Sequence, residues 1–202
     1  MTGVLRDSLW PGLILWMLLY LSDECFTITC ARMYRAQDTI VVEGSFELTP
    51  AFKKGVDVLR RVSPRFLLAL GAGAALFVLL WWLGTRPPYW TDGYLYALGA
   101  LVLLETAVHI RHPRNWHLFR TALGPDGVQG RLVYPRAIVL RASAFELRLF
   151  AGLYASLSLL SSRWFLPGGA TSCLVTALKQ FRLATKHAVA GGSVAERNPQ
   201  HG

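Results

Sequence analysis

Apolar residues fall along this chain in long blocks, not in the two-residue alternation of a half-buried strand, and short basic stretches separate the blocks. The first block, 9–30, holds Trp10, Trp16 and Tyr20 and passes through Ser22, Asp23 and Glu24 without ending. The second, 66–84, has no charge after Arg65; its run Gly71-Ala72-Gly73-Ala74-Ala75 permits close helix contact, and Trp81 and Trp82 mark an interface. A third block covers 94–112. A fourth covers 142–166, with Arg148 snorkelling, and Pro167-Gly168-Gly169 is expected to break it. The fifth, 168–187, crosses a bilayer only if Lys179 and Arg182 find partners or snorkel; otherwise it is a re-entrant or interfacial helix. Blocks of ~20 residues match a hydrocarbon core of ~30 Å. The predicted fold class is all-α: a polytopic membrane helical bundle of about five transmembrane helices, forming a single membrane domain over 1–190 with a disordered tail over 191–202.

The stretches between blocks have local structure of their own. Thr39-Ile40-Val41-Val42-Glu43 is β-like, and 128–134 reads as a short strand after Gly124-Pro125-Asp126-Gly127, a turn with Pro second and Gly fourth. The loops on that side therefore carry minor β structure. Thr49-Pro50 reads as a helix start, an N-cap followed by Pro at the first helical position. Beyond it Phe52, Val56, Leu59 and Val62 form a stripe flanked by Lys53, Lys54, Arg60 and Arg61. This predicts an interfacial amphipathic helix over 50–62 with those four basic residues toward anionic lipid headgroups, or else a stripe packed on the protein's own loops.

Composition narrows the function classes. With 53% hydrophobic and 16% charged residues in 202, the chain leaves no room for a separate soluble catalytic domain. No phosphate-binding glycine loop, dinucleotide fingerprint, H-E-x-x-H or G-x-S-x-G occurs. The formal charge of +9 is explained by position: 18 of the 21 Lys and Arg lie within 32–65, 111–148 and 179–197, and only Arg6, Arg86 and Arg163 fall elsewhere. That asymmetry puts the N-terminus outside and the C-terminus in the cytoplasm, and it accounts for the basic residues without nucleic acid. Arg6 is cancelled by Asp7 and no A-x-A-like site follows, so the first block is expected as an uncleaved span. Cys25 and Cys30, five apart on one helix, point away from each other and form no disulfide.

Counting 1.5 Å per residue from the outer edge brings charged groups of four spans to one inner-leaflet layer. It contains the acids Asp23, Glu24, Glu105 and Glu146, the bases Arg148, Lys179 and Arg182, and the imidazoles of His109 and His112. Intramembrane charge costs roughly 2.5–3.5 kcal/mol per residue on insertion scales, so such groups face one another or a wet cavity. Glu105, His109 and His112 stand at i, i+4 and i+7, on one helix face. Such a face offers a carboxylate and two imidazoles to a divalent metal, with a fourth ligand from Glu24 or Glu146, although histidines here also serve as structural caps.

Arg111-His112-Pro113 resembles the R-H-P of membrane methyltransferases acting on isoprenylcysteine or phospholipid, where the triplet closes a helix beside the cosubstrate. The resemblance extends to Glu146 as a downstream acid; no G-P-Y precedes the motif and no paired Glu follows it. Glu47-Leu48-Thr49-Pro50 looks like the E-L-N-P turn of some small membrane proteins and implies no activity. Two functions are expected from the whole: a non-enzymatic assembly subunit, homo-oligomer or small transport-type bundle with a polar inner-leaflet cluster, or a membrane-embedded enzyme acting on a lipid or metal-dependent substrate through Glu105, His109 and His112. A cavity lined by Glu105 and His109 discriminates between them.

Overall fold

A computed structural model describes residues 8–37, 39–43, 47, 52–59, 62–86, 91–122, 124, 127, 130–160 and 164–196. Helix α1 is Leu9–Arg35, long enough at 1.5 Å per residue to exceed a hydrocarbon core, with Arg32 and Arg35 at its negative C-terminal end. Strand β1, Ile40–Val42, and the short helix α2, Lys53–Asp57, follow. Helix α3, Pro64–Gly84, starts as its sequence dictates: Pro64 needs no donor in the first turn, and Ser63 Oγ accepts the Phe66 amide at 3.1 Å. Helix α4 is Thr91–His109, α5 is Arg111–Ala122, strand β2 is Leu132–Tyr134, α6 is Arg136–Leu159 and α7 is Phe165–Glu196.

Helix α4 is the axis of the bundle. On one side Leu9, Leu13 and Trp16 of α1 and Phe77 of α3 pack with Tyr94, Leu95, Leu98 and Val102. On the other, Ala107 joins Ala144, Leu147 and Ala151 of α6 with Cys173 and Ala177 of α7. Small residues make both contacts close. A Cβ at Gly99 meets the backbone of Phe165, and one at Gly168 meets the carbonyl of Tyr96, so α4 and α7 touch backbone to backbone. Gly73 seats the Trp16 indole between α1 and α3, whereas Gly71, in the same small-residue run, has nothing within 4 Å.

The two loop strands find each other. β1 and β2 pair in parallel, Ile40 opposite Leu132 and Val42 opposite Tyr134. Gln37 completes the edge: its Oε1 accepts the Ile40 amide and its Nε2 donates to the Ile40 carbonyl, each at 2.6 Å. The expected turn before β2 closes with the Gly127 amide on the Gly124 carbonyl at 2.9 Å. The three cysteines are free thiols.

Several boundaries differ from the sequence reading. Among the described residues three helical stretches, Leu9–Arg35, Pro64–Gly84 and Thr91–Ala122, are long and apolar enough to cross a membrane; Arg136, Arg141, Glu146 and Arg148 in α6 and Lys179, Arg182 and Lys186 in α7 dilute the other two of the five expected. The fourth block ends at Leu159 rather than 166, and Pro167 lies inside the first turn of α7. A proline clashes with the carbonyl four residues before it, so the helix must break ahead of Pro167, not at it. Pro113 acts the same way on His109: α4 stops there, and α5 restarts one residue later across Ile110. The last helix continues to Glu196, over part of the expected tail, because an established helical ladder extends at little cost; 197–202 lie outside the described residues.

The surface helix expected over 50–62 reduces to Lys53–Asp57. Gly55 weakens it, and Leu59, at φ 52°, closes it in the left-handed region. Val56 is buried with Ile28 and Ala31, so the stripe packs on α1. Lys53 is half-buried, while Thr49, Pro50, Arg60 and Arg61 lie outside the described residues.

Candidate functional site

The charged layer forms around the lower half of α1, which is unsealed between its buried ends at Trp16 and Ile28. Asp23 of α1 meets Glu105 and His109 of α4: one carboxylate oxygen from each acid and one ring nitrogen lie within 4.8 Å of one another. All three side chains are half-buried. His109 Nδ1 lies 2.8 Å from the Glu105 carbonyl and donates to it, which leaves Nε2 as the lone-pair nitrogen. Nε2 faces Ser22 Oγ at 2.8 Å, and the same hydroxyl has a second acceptor in the Leu19 carbonyl at 2.9 Å. Among the described residues no hydrogen bond or ion pair reaches the Glu105 carboxylate.

His112 does not join this group as a third ligand. Its Nε2 sits 2.7 Å from Asp23 Oδ1, and its ring stacks on Phe26 at 5.4 Å. The joint at Ile110 accounts for this: the i, i+4, i+7 face assumed one continuous helix, and the chain restarts before His112. The metal-type set is thus Asp23, Glu105 and His109, with His112 fixing the Asp23 carboxylate from behind. Glu24 lines the adjoining cavity without entering the set.

Glu146 is engaged elsewhere. Its Oε2 lies 3.0 Å from Arg111 Nε and its Oε1 pairs with Arg114, while Arg111 Nη2 donates to the Ser143 carbonyl at 3.2 Å. The bases expected to neutralise the layer do not reach it. Lys179 and Arg182 are exposed on α7, and Arg148 lies over the Phe181 ring at 4.9 Å on the outer face of α6 and α7. Of the layer's acids, among the described residues, only Glu146 is paired with Lys or Arg, and its partners come from α5: Arg111 and Arg114, which the sequence reading uses only as part of a triplet or not at all. Their signal was the i, i+3 spacing that puts both on one face. The R-H-P triplet opens α5 here rather than closing a helix.

These side chains surround a cavity of about 570 Å³. Its lining includes the acids Asp23, Glu24 and Glu105, the bases Arg111 and Arg114, and Ile40, Val42 and Tyr134 of the strand pair. Leu104, Val108 and Leu147 make much of the remainder apolar. The volume lies within the roughly 300–1,000 Å³ of small-molecule sites. The cavity expected to distinguish an enzyme is met only in part: Glu105 lines it together with His112, and His109 does not. Two residues that sequence reasoning missed also line it: Ser143, whose buried Oγ has no partner, and Gln180, whose buried Oε1 has none. Comparison with family models, with curated proteins and with solved structures finds no match.

Proposed function

We infer that this chain is a five-span membrane protein, N-terminus outside and C-terminus cytoplasmic, that holds a divalent cation in its inner-leaflet half and acts as a membrane-embedded enzyme on a ligand in the adjoining cavity. The convergence of Asp23, Glu105 and His109 carries the reading. Bonds of about 2.0–2.2 Å let an ion bridge ligand atoms up to roughly 4.4 Å apart, so a 4.8 Å set closes with small side-chain adjustments. Two carboxylates and an imidazole suit zinc, manganese or ferrous iron rather than a thiol-seeking metal. Ser22 can release His109 Nε2 without losing its own acceptor, and the His112 contact orients Asp23 as metal-bound carboxylates are oriented elsewhere.

Outer apolar faces support the two further spans. Phe145, Leu149, Leu153 and Leu157 on α6, and Leu174, Val175, Leu178 and Phe181 on α7, are exposed, as are large apolar residues of α1 and α3. So much exposed apolar surface fits lipid better than water. Lys53, Lys54, Arg60 and Arg61 belong in this reading to the cytoplasmic surface, facing anionic headgroups.

A second reading rests on the ion pairs. Asp23 with His112 links α1 to α5, and Glu146 with Arg111 and Arg114 links α6 to α5, which is what a non-enzymatic assembly subunit or transport-type bundle needs to fix helix register. Metal analysis of the purified chain separates the two. Near-stoichiometric zinc, manganese or iron, lost in Glu105→Gln and His109→Ala with the fold retained, is expected. Less than about 0.1 equivalent after incubation with each metal leaves the ion-pair bundle.

A further inference from the structure

Beside the metal-type set the cavity lining holds donors that their protein acceptors do not exhaust. Ser143 is 5% exposed, lines the cavity, and its Oγ has no hydrogen-bond partner. A buried hydroxyl ordinarily has one, and in a helix the carbonyl four residues back is at hand. Arg111 runs beside it: Nη2 is spent on the Ser143 carbonyl and Nε lies against Glu146, but among the described residues Nη1 donates to nothing. Arg114 pairs through one Nη alone, on a side chain 58% exposed. Arg111 Nη1, the second Nη of Arg114 and the Ser143 hydroxyl are therefore donors left over in the lining of one cavity, which also includes Leu104, Val108 and Leu147.

Charge decides what such a lining takes. The carboxylates of Asp23, Glu24 and Glu105 face the cavity, and Glu146 already offsets the arginines. An anion entering that field is repelled unless those acids are themselves neutralised. A divalent cation at Asp23, Glu105 and His109 cancels two of those three charges and becomes the largest local charge, so the repulsion largely falls away and an anion beside the cation meets a positive centre. Guanidinium nitrogens left free on Arg111 and Arg114 each suit one oxygen of a tetrahedral oxyanion as charge-assisted donors, and a serine hydroxyl adds a third donor.

The geometry points to the phosphate of a phosphorylated amphiphile seated against Arg111, Arg114 and Ser143, beside the bound cation, with its apolar part along Leu104, Val108 and Leu147. This rests on the metal reading of the preceding section and adds the substrate class. A phosphate on a lipid and a free phosphate share the recognition chemistry; the apolar surfaces select the former, since a free ion leaves them uncovered.

The test uses the full chain in detergent with manganese as the cation. Manganese binding alone is measured first, by titration calorimetry or spin resonance. At saturating manganese, dihexanoyl phosphatidic acid, inorganic phosphate and dihexanoylglycerol are then titrated. The phosphatidic acid is expected to bind at least tenfold more tightly than either of the others. Ser143→Ala, which removes only an unpartnered hydroxyl, should weaken it about tenfold with manganese affinity unchanged. Arg114→Gln should weaken it further. Absence of manganese binding removes the metal reading. Manganese binding with no preference for phosphatidic acid over dihexanoylglycerol, or with Ser143→Ala and Arg114→Gln both without effect, overturns the headgroup site alone. Equal affinity for inorganic phosphate overturns the amphiphile and leaves an anion site.

Discussion

His112 Nε2 and Asp23 Oδ1 lie 2.7 Å apart across the α1–α5 contact, and this hydrogen bond holds the carboxylate that also faces Glu105 and His109. The His112 ring is otherwise held by stacking on Phe26, so its position survives loss of the donor. His112→Phe should therefore keep the fold while lowering metal affinity about 10–100-fold, the range for losing an orienting partner of a ligand. His112→Gln, which restores an N–H, should recover part of it. Manganese titration of the three proteins checks this, and equal affinities would show that Asp23 needs no orientation.

Glu146 is the acid on which the arginines depend. Removing one partner of a fully buried pair costs roughly 3–5 kcal/mol because the remaining charge stays buried; the value here is smaller, since Arg114 is largely exposed. Glu146→Gln should lower the melting temperature clearly, and adding Arg111→Met should restore part of the loss. Thermal unfolding in detergent reads both, and strictly additive effects would dissolve the pair.

Much of this site was legible in the sequence, and the misreadings share a cause. Every long helix among the described residues falls on an apolar block, and depth counting puts Asp23, Glu105 and His109 in one layer, where the structure brings their ligand atoms within 4.8 Å of one another. Depth counting could not tell which face of a helix meets a neighbour. The count assigns Arg148, Lys179 and Arg182 to that layer, yet the rotation of α7 against α4 at Gly99, Gly168 and Gly169 goes with Lys179 and Arg182 exposed, and Arg148, on α6, lies over the Phe181 ring. The proline joints at Pro113 and Pro167 misled in a similar way. Each breaks the helix several residues ahead of itself, and at Pro113 that moved His112 from ligand to supporting partner.

Lys179 and Arg182 provide a direct test of that rotation. As counter-charges to Glu105 their removal would strand a buried carboxylate. As exposed residues of α7, Lys179→Gln and Arg182→Gln should change stability by no more than about 0.5 kcal/mol and leave metal affinity unaltered. A large loss in either variant would return Glu105 to a pairing role.

Gly99 and Gly71 make a matched pair for the packing argument. A Cβ at Gly99 runs into the Phe165 backbone, which no rotamer change relieves, so Gly99→Ala should destabilise by about 1–3 kcal/mol or more. Gly71→Ala enters open space and should be neutral or stabilising by up to about 1 kcal/mol through helix propensity. Melting temperatures of the two variants, read side by side, check the contrast.

Three spans and five spans agree on the side of every loop except one. Both put Thr91 outside and Arg131 inside; only five put the α6–α7 connection outside, because α6 must then cross. Leu160 stands at the end of α6, 87% exposed, where a thiol can be reached. In a background with Cys25, Cys30 and Cys173 replaced by Ala, single cysteines at 91, 131 and 160 are to be labelled with a membrane-impermeant maleimide on intact and on permeabilised cells. Position 91 should label from outside and 131 only after permeabilisation. The exposed apolar faces of α6 and α7, with Phe145 61% accessible, predict that 160 labels with 91. If 160 labels with 131 instead, those two helices lie on the cytoplasmic side, and their apolar faces need a protein partner in place of lipid.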